Sequence, residues 1–179
     1  MGAALIATGT PSGATGPEPG AGPAGAAGID RGVGAVSEAA DVVGPAAAGG
    51  AAAEADVSYH GHVSLWNGRV GIWLATDNHG PAPVSGTTVR LRFSVALDPG
   101  AALPPNCLRT GPAEVQCGAG SMRAAGAGGH LALDVATVGI PTEVGVDIDT
   151  TWNGGASDHN PANNTHRVLA LATGDPYTY

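Results

Sequence analysis

The sequence predicts an all-β chain: two antiparallel sheets packed as a sandwich of seven or eight strands, behind a disordered Ala/Gly/Pro-rich N-terminal segment. Three observations carry this expectation. From Asp56 onward apolar and polar side chains alternate, which is the period of a half-buried strand. Turn residues recur at intervals of about ten, as they do between the short strands of a sandwich. Residues 1–55, by contrast, are mostly Ala, Gly and Pro, a composition too poor in bulky apolar groups to offset chain entropy by burial.

The leader comes first. Ile29, Val33, Val36, Ala40 and Val43 keep helical spacing with Asp30 placed as an N-cap, but Gly32 and Gly34 reduce this to a transient helix at most. Met1 to Ala7 looks like the tail of an export signal's apolar segment, yet it lacks the basic flank.

Val57, Tyr59, Gly61, Val63 and Leu65 then alternate with Ser58, His60, His62 and Ser64, and Asn67-Gly68 signals a two-residue hairpin into a second strand, Arg69 to Thr76. Asp77 to Pro81 is turn-rich. Val89, Leu91, Phe93, Val95 and Leu97 alternate with Arg90, Arg92, Ser94 and Ala96, giving a strand whose Arg face is wet. Past Asp98-Pro99-Gly100 and Pro104-Pro105, short strands are expected around Cys107 and over Glu114 to Cys117, joined by a turn at Thr110-Gly111-Pro112. Leu131, Leu133 and Val135 mark another strand. Val144, Val146, Ile148, Thr150 and Trp152 share one face of the next, which places Trp152 in the core, and Arg167 to Ala172 closes the series. Residues 56–179 therefore have the size and strand spacing of an immunoglobulin-like domain.

Composition narrows function. Charged residues are 12% and aromatics 4%, with one phenylalanine, which argues against a large aromatic-packed enzyme core. Seven Arg, no Lys and 15 acids give a net charge of −8, the wrong sign for phosphate backbones, so nucleic acid is not an expected partner. No run approaches the roughly 18 apolar residues of a membrane-spanning helix. Absent Lys beside abundant Ala, Gly and Arg is also what a GC-rich, actinobacterial genome would produce.

Cys107 and Cys117 are the only cysteines. Paired, they close a short loop worth roughly 3 kcal/mol and point to an oxidising compartment; unpaired, they are two buried thiols. A two-cysteine metal site lacks histidines at zinc-finger spacing.

With these residues in view, the segment from about Asp56 to Thr173 resembles the bacterial DUF11-type repeat domain, an immunoglobulin-like module that is also similar to CARDB adhesion domains. The residues that carry the likeness are Asn78-His79-Gly80-Pro81-Ala82-Pro83-Val84-Ser85-Gly86, the Leu97 to Asn106 stretch, Cys107 with Val115-Gln116-Cys117, a glycine-rich turn from Gly118 to Gly129, and Asp158-His159-Asn160-Pro161-Ala162-Asn163-Asn164-Thr165. The last is the most specific. The resemblance implies a secreted or cell-surface structural or adhesive role.

Several sites compete with bland readings. Asp158, Asn160, Asn163 and Asn164 bring oxygens together as a calcium site would, with Asp147 and Asp149 as further ligands; the alternative is a turn in which Asx side chains bond their own backbone. His60 and His62 project from one strand face, an arrangement that suits metal ligands together with His79 or His130 and equally suits ordinary exposed histidines. Asp77, His79 and Ser85 hold the letters of a hydrolase triad without a nucleophile elbow. Trp73 alternates opposite to Ile72 and Leu74, making it the candidate exposed binding surface; Trp66 is the third indole. Tyr177 and Tyr179 lie past the last strand, able to pack back or to meet a neighbour.

The expected function is a non-catalytic, extracellular or cell-surface structural or adhesion module. Its expected partner is a cell-envelope or extracellular protein or a glycan, and it needs no cofactor unless calcium binds. A carbohydrate-binding module and a metal-dependent secreted enzyme are the alternatives.

Overall fold

The computed structural model describes residues 52–179. The transient helix and the signal-like Met1 to Ala7 lie outside the described residues.

Among the described residues eleven strands follow one another: β1 (Glu54–Ala55), β2 (Val57–Trp66), β3 (Arg69–Asn78), β4 (Val84–Phe93), β5 (Cys107–Gly111), β6 (Glu114–Met122), β7 (Gly126–Ala136), β8 (Glu143–Trp152), β9 (Ser157–Asp158), β10 (His166–Leu171) and β11 (Tyr177–Thr178). Eight of them span five residues or more, matching the eight that the alternation marks out. One antiparallel sheet has the order β10-β8-β4-β6-β5 and the other β11-β2-β3-β7, with β1 and β9 forming a short parallel pair. The two sheets bury their inner faces against each other in one aliphatic cluster, which includes Val63, Leu65 and Leu74 from one side and Leu91, Val115 and Ile148 from the other.

Local chemistry explains the best-predicted pieces. Asn67 and Gly68 both take positive φ, 48° and 71°, the conformation of a tight hairpin whose twist matches its strands. The register then pairs Trp66 with Arg69 and runs unbroken to Val57 and Asn78. Cys107 and Cys117 are direct cross-strand partners and form a disulfide, fixing edge strand β5 to β6.

Three expectations change. The strand expected over Val89 to Leu97 instead runs Val84–Phe93. Beyond it the chain crosses between sheets: Ser94 donates its N–H to Gly145, Leu97 to Pro112 and Asp98 to Ala136. Leu97 is still buried, because a crossing segment also turns alternate side chains inward, so periodicity alone cannot mark where pairing stops. The glycine-rich stretch Gly118 to Gly129 is mostly strand, with its turn confined to residues 123–125. Glycine is required there for packing, since a Cβ on Gly128 would meet Thr76 Oγ1 and the Met122 side chain. Trp152, expected in the core, is 52% exposed. The β4–β8 register shifts between Thr88 and Val89, and β8 runs past the core at Ile148, so its last residues lie outside the packed layer, where the Trp152 ring covers Gly86.

At the other edge β11 pairs with β2, Tyr179 donating its N–H to Gly61 (3.1 Å) and accepting the Gly61 N–H in return (3.3 Å). Its ring lies 4.9 Å from His166 of β10, so the chain end folds back and closes the gap between the sheets.

Candidate functional site

The Asp158–Thr165 loop is a hydrogen-bond knot that holds the entering chain. Asp158 Oδ1 accepts the Asn160 N–H (3.0 Å), and its Oδ2 accepts the Val57 N–H (3.3 Å) and the Asn164 side-chain amide (2.7 Å). Asn163 donates its amide to the Asp56 carboxylate at 2.7 Å. Pro161 opens a single 3₁₀ turn, Pro161–Asn164, that presents both amides inward. Both Asp158 oxygens named as calcium ligands thus already accept donors from the protein, and Asn164 Oδ1 takes the Thr165 hydroxyl at 3.5 Å. Among the described residues of this loop, Asn163 Oδ1 is the one buried side-chain oxygen without a partner, one acceptor against the six to eight that calcium takes. Asp147 and Asp149 do not reach this loop: Asp149 takes a bidentate contact from Arg90 (2.9 and 2.6 Å) and one from Arg92 (3.4 Å), while Asp147 faces Arg167 at 3.6 Å.

The outer face of the four-stranded sheet carries the histidines. His62 is the cross-strand partner of Trp73, and His60 and His130 flank Ala75 in the next row. The imidazoles of His62 and His130 lie nearly parallel to the Trp73 indole at 6.0 and 6.4 Å from opposite sides, and His60 stands edge-on at 6.4 Å. Trp73 is therefore exposed, at 39%, but boxed by rings. His60 Nδ1 pairs with Asp77 at 3.3 Å. Among the described residues no three His, Cys, Asp or Glu side chains come together to hold a metal ion.

The triad letters separate. Asp77 is engaged with His60, His79 lies in the following turn, and Ser85 stands on β4 in the opposite sheet against Gly154.

Sequence reasoning placed Asn78 in a turn motif but gave its side chain no role. Its side chain is fully buried and fully used: Oδ1 accepts the N–H groups of Asp56 (3.1 Å) and Gly80 (3.0 Å), and Nδ2 donates to the carbonyls of Ala82 (2.7 Å) and Arg123 (3.0 Å). A signal was present, because Thr76 and Asn78 continue the inward phase of Val70, Ile72 and Leu74 with polar residues. Tyr59 is a second inward polar group. Its hydroxyl shares a hydrogen bond with Thr150 at 2.5 Å, and burial pushes its pKa up to about 12. Burial likewise raises Tyr179.

No family model matches this chain, and no curated protein or solved structure is significantly similar to it. No helix among the described residues is long and apolar enough to cross a membrane.

Proposed function

We propose that this chain is a non-catalytic structural or adhesive module that works outside the cytoplasm, on a cell surface or in the secreted phase. The observation that carries this reading is the disulfide on an edge hairpin of a thin aliphatic sandwich, a staple that persists in oxidising compartments. The polar side chains support it too. Asp158, Asn163, Asn164 and Asn78 are spent on fixing backbone, which is structural work rather than chemistry. The order of motifs that resembles the DUF11-type domain agrees with the same role.

The test fractionates the producing cells under thiol-alkylating conditions and sediments the purified chain with isolated envelopes. The expected result is protein in the external or envelope fraction with both cysteines blocked to alkylation, and co-sedimentation with envelopes. Reduced thiols in a cytoplasmic pool would overturn the reading.

A further inference from the structure

Resting on the adhesive reading, we infer that the outer face of the four-stranded sheet holds a glycan-binding trough centred on Trp66, and that its ligand is a neutral oligosaccharide. The trough is a depression of about 240 Å³ lined by Ser64, Trp66, Arg69, Gly71 and Asp134. Its floor is Gly71, which has no side chain, next to the small hydroxyl of its register partner Ser64. One wall is the Trp66 indole, 64% exposed. The other is Arg69, whose Nε donates to Asp134 Oδ1 at 3.0 Å, with both side chains more than half exposed.

Trp66 suits this role better than Trp73. On the β11 side of β2 its ring rests near Gly174, whose added Cβ would lie 3.5 Å away, and the Gly174 N–H is anchored to the Leu65 carbonyl at 3.0 Å. On the β3 side the ring borders the open trough. The indole is thus backed on one side and free on the other, whereas Trp73 has imidazoles on both. A sugar ring offers an apolar C–H face to such an indole and hydroxyls to the guanidinium fork and carboxylate beside it. The same sheet face continues past the trough to Trp73, four positions beyond Arg69 on β3 and about 14 Å away at the rise of a strand, so a sugar seated in the trough has room to run on along the face as an oligosaccharide.

The same features disfavour a peptide or an acidic polymer. The trough opens over β3, whose backbone is paired on both sides with β2 and β7, so it offers no free ladder to an added strand; the open edge of this sheet is β7. The trough's one cation, Arg69, is already paired with Asp134, and the net charge of −8 repels polyanions.

Native electrophoresis of the full chain in gels containing hydroxyethylcellulose, galactomannan or glycol chitin, with dextran sulfate as the anionic comparison, tests the inference. At least one neutral glycan is expected to retard the protein. Trp66→Ala and Gly71→Val, which removes the wall and fills the floor, are expected to weaken retardation about tenfold or more. Trp152→Ala, on the other sheet, keeps it. Thermal melts confirm that each variant is folded; Gly71→Val places a β-branched residue in a strand, where only the rotatable Ser64 hydroxyl is crowded. No retardation by any neutral glycan, retardation by dextran sulfate alone, or retardation undiminished in both trough variants would each overturn the site. If the wild type still sediments with envelopes in those cases, the adhesive reading survives without it.

Discussion

Asp158 accepts the backbone N–H of Val57, a residue 101 positions earlier, at 3.3 Å. That bond, with Asn163 to Asp56 and the parallel β1–β9 pair, ties the beginning of the domain to the loop before its last long strand. Chain entry is thereby fixed to the sandwich through side chains as well as through the short β1–β9 pair.

Replacing Asp158 with Ala removes the acceptor for three donors, two of them backbone N–H groups. The expected loss is about 2–3 kcal/mol in urea unfolding with an unchanged slope, and hydrogen exchange at Val57 speeds up selectively. A wild-type exchange rate at Val57 in the variant would refute the clamp.

Asn78→Asp tests a different polarity. The carboxylate keeps both accepting contacts but turns oxygens toward the Ala82 and Arg123 carbonyls in place of the donors it lost. We expect a loss of about 3 kcal/mol or more, greater than for a surface Asn→Asp change such as Asn106→Asp, as read from denaturant midpoints.

Opening the Cys107–Cys117 disulfide should leave the fold intact but less stable. The loop-closure estimate gives about 2–3 kcal/mol, or roughly 10 °C in Tm, for reduction or for the double Cys→Ala variant. Calorimetry with and without reductant measures it, and identical melts would show the staple to be idle.

Alkaline pH should unfold the domain in a defined window. Tyr59 holds its proton up to about pH 12 in the folded state against 10 for the ordinary group, and Tyr179 is shifted the same way. This stabilisation is complete below pH 10 and is lost as pH rises toward 12, because the unfolded chain ionises first. For Tyr59 it amounts to about 2–3 kcal/mol. Stability measured across pH 9 to 12 should fall, with tyrosinate absorbance appearing together with unfolding, and the Tyr59→Phe variant should show a shallower decline.

The amino-acid sequence by itself determined the sheet class, the Asn67-Gly68 hairpin and the pairing of neighbouring strands such as those bearing Cys107 and Cys117. These follow from period-two alternation and from turn chemistry, the positive φ of Asn67 and Gly68 in one hairpin and the Gly111-Pro112 turn in the other, which are properties of a few adjacent positions. Only the tertiary structure decided that Trp152 lies beyond the core, that Leu97 belongs to a crossing segment, and that Asp158 serves Val57. It also decided that Trp66 shares a trough with Gly71 and Asp134. Each of these depends on which strands become neighbours and in what register, and that choice is made by burying two faces against each other, which no local pattern encodes.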